Sequence, residues 1–190
     1  QTLTYLPYFI SVVVICGLIR NFVATDGLIN NVVEMFGGKA ENLLMKKEAF
    51  RSIFVSSNIW QGIGWNSIIY LAALSAVDAE LYEAATIDGA GRLRQVFSVT
   101  IPSIMPTIVI MLILRIGSVM SVSSDKIILL YNELTYETAD VISSFVFRKG
   151  ITEYNYSFST AVGLFNSVIN FILIVLANKL SRRLSDTSLW

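Results

Sequence analysis

An all-α, polytopic transmembrane helical bundle is the fold class this sequence predicts, and three observations carry it. Of 190 residues, 54% are hydrophobic and only 15% charged, whereas a soluble domain carries about 25% charged residues. The apolar residues gather into four blocks, each close to the roughly 20 residues that cross a 30 Å hydrocarbon core at 1.5 Å per residue. The third and fourth blocks are apolar on all faces, while a soluble surface helix shows one apolar stripe.

The elements follow in order. Residues 4–22 form the first block, with a single charge, Arg20, near one end, where a long side chain snorkels to the interface. Residues 24–57 are mixed and polar, with Asp26-Gly27 and Gly37-Gly38 as turn signals. The second block, 58–77, is uncharged but punctuated by glycines and amides. A short charged segment, 78–103, leads to the third block, 104–122, which holds Arg115. Residues 123–157 are again polar, and within them 140–147 is amphipathic and suits a helix lying on the membrane or re-entering it. The fourth block, 158–180, runs into Lys179, Arg182 and Arg183. Basic residues favour the cytoplasmic side, so this tail places the C-terminus inside; Lys39, Lys46, Lys47 and Arg51 of the 24–57 stretch pull the other way. The whole chain reads as one transmembrane domain. It opens on Gln1 and is apolar by Leu3, so it reads as lacking an N-terminal part, and it shows neither the basic leader nor the cleavage site of a signal peptide.

Composition narrows the chemistry. Net charge is zero, so no nucleic-acid partner is expected. Histidine, the commonest metal ligand and general base, is absent. Cys16 is the single cysteine, so no intrachain disulfide forms. No catalytic residue, metal site or cofactor is expected. No G-x-x-x-x-G-K-[ST] phosphate-binding loop occurs, and Gly37-Gly38-Lys39 is too short to be one.

The segment with the most specific pattern is 83–102, EAATIDGAGRLRQVFSVTIP. Residues 78–87 are good helix formers, and Asp88-Gly89 is a turn or C-cap signal because glycine accepts a positive φ. A second short helix fits 92–99, and Pro102 is expected to end it and open the next span. Small residues Ala84, Ala85, Gly89, Ala90 and Gly91 allow close approach of another backbone, and Glu83 offers a carboxylate to a basic partner. Glu83, Ala84, Ala85, Gly89, Val99, Ile101 and Pro102 stand at the positions of the EAA motif of binding-protein-dependent ABC importer permeases, which this stretch closely resembles. Valine for isoleucine and isoleucine for leucine are its two departures, and Asp88 and Ala90 flank Gly89 as in the usual form.

That resemblance implies a MetI-like ABC permease fold, of which the four blocks would be the last four spans. It implies a multi-pass bacterial cell-membrane protein with ABC ATPase subunits, a second permease subunit and an extracytoplasmic solute-binding protein as partners. Segment 78–103 would be cytoplasmic, contacting the ATPase through Glu83, Ala84, Ala85, Asp88, Gly89, Ala90 and Pro102, and 24–57 and 123–157 would lie outside. Leu6 to Ser11, Ile59-Trp60, Gly64-Trp65, Leu81 to Glu83 and Ala161 to Asn166 look like the sugar-importer branch, within it like permeases of complex saccharides.

Residues for a solute path are Asn58, Trp60, Gln61, Trp65 and Asn66, because rings stack on sugar C–H faces and amides bond hydroxyls. Trp60 and Trp65 equally fit an interfacial belt. Arg115, inside a span, reads as functional by default, or as a snorkelling residue with a partner in the bundle. Asn166 and Asn170 share one helix face and read as helix–helix packing residues beside Gly163 and Ser167. The main reading is a permease for a sugar or oligo- or polysaccharide. Alternatives are a permease for a glycerol phosphate or peptide-like solute, a membrane enzyme, and a membrane scaffold that transports nothing.

Overall fold

The computed structural model describes residues 2–120 and 123–184, and these are helical or turns with no strand among them. Gln1, Val122 at the end of the third predicted block, and the Arg183 side chain lie outside what is described. The chain divides into two compact units: Gln1–Gly64 with Ser121–Phe165, and Trp65–Met120 with Asn166–Trp190.

In the first unit the apolar start is not one helix. A short α1 (Thr2–Tyr5) and a 3-10 turn (Leu6–Phe9) carrying Pro7 are followed by Ile10 and Ser11 in extended conformation. Serine is favoured at helix N-caps, and the chain restarts there as α2 (Val12–Val23). After a corner, α3 (Leu28–Met35) follows. The buried Asn30 amide pins that corner, donating to the Ala24 carbonyl at 2.6 Å and the Glu41 carbonyl at 2.8 Å. The first predicted span, 4–22, therefore overlaps a longer apolar stretch, Val12–Met35, which the corner divides into α2 and α3.

The 29-residue helix α4 (Lys47–Ser75) begins inside the segment expected to be a polar loop. By length it could cross a bilayer, but Ser56, Ser57, Asn58, Gln61 and Asn66 dilute it. Three stretches among the described residues are both long and apolar enough, Val12–Met35, Arg92–Gly117 and Tyr156–Arg182, with mean hydropathies of 1.8, 2.2 and 2.1. The second predicted block is thus helical but falls outside that set.

Ile15, Cys16, Ile19 and Val23 form one stripe of α2 and pack with Ile127 and Leu130 of α8 (Ser124–Leu130), together with Leu44, Phe50 and Ala139. The Arg20 guanidinium donates to the Leu129 carbonyl near the C-terminus of α8, where unpaired carbonyls and the helix dipole favour a cation. Beyond α9 (Tyr136–Ala139), α10 (Ile142–Phe147) lies within the segment expected to be amphipathic. Ser144 is buried and donates to Asp140 at 2.5 Å, and Arg148 pairs with Asp140 at 2.5 Å while lying 4.4 Å over the Tyr136 ring, whereas Ser143 Oγ is buried without a hydrogen-bond partner among the described residues.

The second unit holds the 78–103 segment and the helix after it. There α5 (Ala79–Ile87), α6 (Arg92–Gln95), a π-helical turn (Val96–Thr100) and α7 (Ile101–Gly117) follow one another. The last helix, α11 (Tyr156–Leu184), contributes its C-terminal part to this unit. Pro102 opens the next helix as expected, in the first turn of α7, but it does not end the one before, since a helical run continues from Arg92 to Gly117. The π turn just ahead explains the difference: the Ile101 amide bonds five residues back to Val96. That register change accommodates a residue with no N–H.

Candidate functional site

In segment 78–103 the predicted helix, turn and helix are present, each with a local cause. Asp78 caps α5 by accepting the Glu80 amide at 3.0 Å. Gly89 has φ of +75°, the Ala90 amide reaches the Ala85 carbonyl at 2.9 Å, and the Gly89 amide reaches Thr86 at 3.0 Å. Those two bonds around a left-handed residue are a Schellman C-cap, which satisfies the last carbonyls of α5. Gly91 then starts α6 with extended backbone. The Gln95 amide braces the turn, donating to Thr86 Oγ1 at 2.9 Å and to the Ala90 carbonyl at 3.1 Å. The Tyr82 hydroxyl meets Thr100 Oγ1 at 3.0 Å, fastening α5 to the π turn.

The braced turn presents Glu83, Ala84, Asp88, Gly89 and Pro102 to the exterior, with Ala85 and Ala90 half-buried. Beside them Ile87, Leu93 and Phe97 are 87%, 79% and 71% exposed. Exposed apolar side chains grouped with a carboxylate suit a protein partner, not a reaction.

The predicted path residues fall into both units. Asn58, Trp60 and Gln61 belong to the first, and Trp65, Asn66 and Arg115 to the second. Trp60 is half exposed and lines an apolar cavity of about 280 Å³ with Ile15, Ile19, Phe22, Ile53 and Ser57. Arg115 is exposed and forms no salt bridge among the described residues. The amide oxygens of Asn166 and Asn170 are buried without a hydrogen-bond donor among the described residues.

Sequence reasoning passed over Lys126. This α8 residue is 2% exposed, and its ammonium donates to Asn58 Oδ1 at 2.9 Å and, at 3.4 Å, to Ser57 Oγ. Burial pushes its ammonium below the usual lysine range, with Cys16 acting weakly in the opposite sense. The signal was legible: Lys126 precedes Leu130 by one helical turn, so it belongs to the face that buries Ile127 and Leu130. Among the described residues no cluster of three or more His, Cys, Asp or Glu is placed to hold a metal.

Comparison with known proteins adds to this geometry. The family described as "Binding-protein-dependent transport system inner membrane component" matches residues 1–186. The chain is 41% identical over 191 residues to the polygalacturonan/rhamnogalacturonan transport system permease protein YteP of Bacillus subtilis (strain 168), covering 100% of this chain and 60% of the relative. It is 40% identical over 191 residues to Protein LplB of the same organism, with the same coverage. Among solved structures, a bacterial ABC transporter involved in the import of the acidic polysaccharide alginate superposes with a TM-score of 0.94 at 42% identity, over 97% of this chain and 65% of that one. The bacterial alginate ABC transporter in complex with an alginate pentasaccharide-bound periplasmic protein gives a TM-score of 0.96 at 42% identity, over 100% and 66%. The chain thus spans 60% of the length of the two curated relatives it matches.

Proposed function

We propose, from the premise that this chain belongs to the family of binding-protein-dependent transport system inner membrane components, that it is the core of a permease subunit of an ATP-driven importer for an oligo- or polysaccharide. The observation that carries the reading is the braced helix–turn–helix at 78–103, with Glu83 and Gly89 at its exposed corner. Its shape and its apolar rim suit the cleft of a separate ATPase. The saccharide is supported by the transport permeases and the alginate importer to which the chain is similar.

On this reading the whole of 1–190 is one membrane permease domain, the 78–103 segment is cytoplasmic, and 24–57 and 123–157 face outward. An extracytoplasmic binding protein delivers the solute, and a second permease subunit completes the path. ATP is hydrolysed by the partner ATPase pair; closure of that pair moves the 78–103 segment and switches the helices between inward-open and outward-open arrangements. Asn58, Trp60, Gln61, Trp65, Asn66 and Arg115 are the path residues under this proposal.

The test purifies the full permease with its second permease, ATPase pair and binding protein, and measures ATP hydrolysis with and without saccharide-loaded binding protein. Glu83→Ala and Gly89→Asp are expected to insert normally and to lose the stimulated hydrolysis. Undiminished uptake by the Gly89→Asp variant would overturn the reading.

A further inference from the structure

Lys126 is a buried cation without a carboxylate. The four ion pairs among the described residues are Lys46 with Glu41, Lys47 with Glu137, Arg148 with Asp140 and Lys149 with Glu153, and Lys126 is in none of them. Its own neighbour Asp125 is exposed. The acceptors it does have, Asn58 Oδ1 and Ser57 Oγ, are neutral. Taking a charge out of water costs several kcal/mol unless it is well paired.

What the lysine does to Asn58 follows from hydrogen-bond inventory. An ammonium has donors and no acceptor, so the Asn58 amide can face it only with its oxygen. The NH₂ of that half-buried amide is left pointing elsewhere, and the neighbouring charge strengthens it as a donor. Ser57 gives its own proton to the Phe54 carbonyl at 2.9 Å while accepting from Lys126, so its polarity is used inside the protein. Gln61, half-buried, stands three residues on from Asn58 on the same helix face. The resulting surface offers donors backed by a positive charge, which suits an anionic oxygen better than a neutral hydroxyl.

We propose that Lys126 and Asn58 form a carboxylate-reading subsite, with Asn58 as the contact and Lys126 as the positioning charge behind it, which selects saccharides containing uronic acids. This rests on the saccharide-importer reading above, and it assigns to these two residues the choice between acidic and neutral sugars.

The experiment uses the assembled full-length importer in proteoliposomes, with an oligogalacturonate and its methyl ester as an acidic and a neutral probe of equal length. The same binding protein serves every arm, so a change in the acid-to-ester ratio of uptake reports the permease. Asn58→Asp places a carboxylate against Lys126; the pair then becomes a salt bridge and the protein stays folded, but the donor and the charge are lost. The expected result is a fall of about tenfold in the acid-to-ester ratio, equivalent to about 1.4 kcal/mol, at unchanged membrane level. Lys126→Met is expected to lower the ratio in the same direction. An unchanged ratio in Asn58→Asp overturns the proposal and leaves Lys126 as a tie between α8 and α4. If the unsubstituted importer responds to neither probe nor to any other saccharide, the importer reading itself fails.

Discussion

Under the proposed docking of an ATPase, replacing Gly89 and Gly91 with the same residue separates two explanations for the glycine-rich turn. Gly89 has φ of +75°, and a Cβ placed there meets nothing within 4 Å. Bulk is therefore not what excludes a side chain in this chain; the backbone conformation is. An L residue in the left-handed region costs about 1–2 kcal/mol, a factor of about 5–30 in the population of the native turn. Gly91 has equally open space, but its backbone is extended, with φ of −68° and ψ of 166°, and it occupies the N-cap of α6. Serine is favoured at such a position. Gly89→Ser should therefore raise the ATPase concentration needed for half-maximal stimulated hydrolysis by about 5–30-fold, the energy lost from the turn being lost from binding. Gly91→Ser should stay within about twofold of the unsubstituted protein. The assay is titration of the purified ATPase into permease proteoliposomes. Equal damage from the two substitutions would refute the reasoning, because it would mean that the partner's close approach, and not the φ of Gly89, sets the requirement.

Further expectations follow from other parts of the structure. Gly64 is buried, and a Cβ there would collide with the Thr4 carbonyl; Gly64→Ala should destabilise the first unit by about 1–3 kcal/mol, read as a lower thermal midpoint in detergent. Burial raises the Asp140 carboxyl, but hydrogen bonds from Arg148 and Ser144 and the charge of Arg148 outweigh it and hold the group below its usual range. A depressed folded-state value means a stabilisation that is complete above the unfolded carboxylate range of about 4 and is lost as pH falls through the folded value. Asp140→Ala should cost about 1–2 kcal/mol at neutral pH and flatten the acid limb of the stability profile; an unchanged limb would show that the Arg148 pair contributes nothing. Thr100→Val removes the partner of the Tyr82 hydroxyl and should loosen α5, seen as faster amide exchange across 79–87 with α7 unchanged.

How much was legible depended on sequence distance. The 78–103 turn is built from residues within about 20 positions of one another, each with its own preference: an Asp N-cap, a glycine at C′, a proline in a first helical turn. Its motif and its geometry could therefore be read together. The break expected ahead of Pro102 is absent because the π turn that absorbs its missing N–H has no compositional mark. The N-terminal block was misjudged because hydropathy counts apolar residues without reporting the break at Ile10 and Ser11. Lys126 pairs with residues 68 and 69 positions away, and no local pattern in α4 announces that partnership.

The polarity of α4 and the burial of Lys126 have a single cause. A helix as polar as 56–66 could not expose that face to hydrocarbon, where unpaired polar groups cost several kcal/mol. In the first unit that face has protein against it: Ser57 and Asn58 receive the Lys126 ammonium, and Ser57 sits over the cavity shared with α2. Conversely, Lys126 could not be tolerated on the apolar side of α8 unless another helix brought oxygen acceptors to it. Each segment therefore looks wrong by itself, α4 too polar for a span and α8 carrying a charge into a core, and each is explained by the other. Making α4 more apolar by Ser57→Ala and Asn58→Leu would make the helix a better membrane span and leave Lys126 buried without these acceptors. The packing of α8 on α2 and α4 should then fail while insertion improves, an opposition that accessibility of Cys16 to a thiol reagent, buried in the native packing, would report directly.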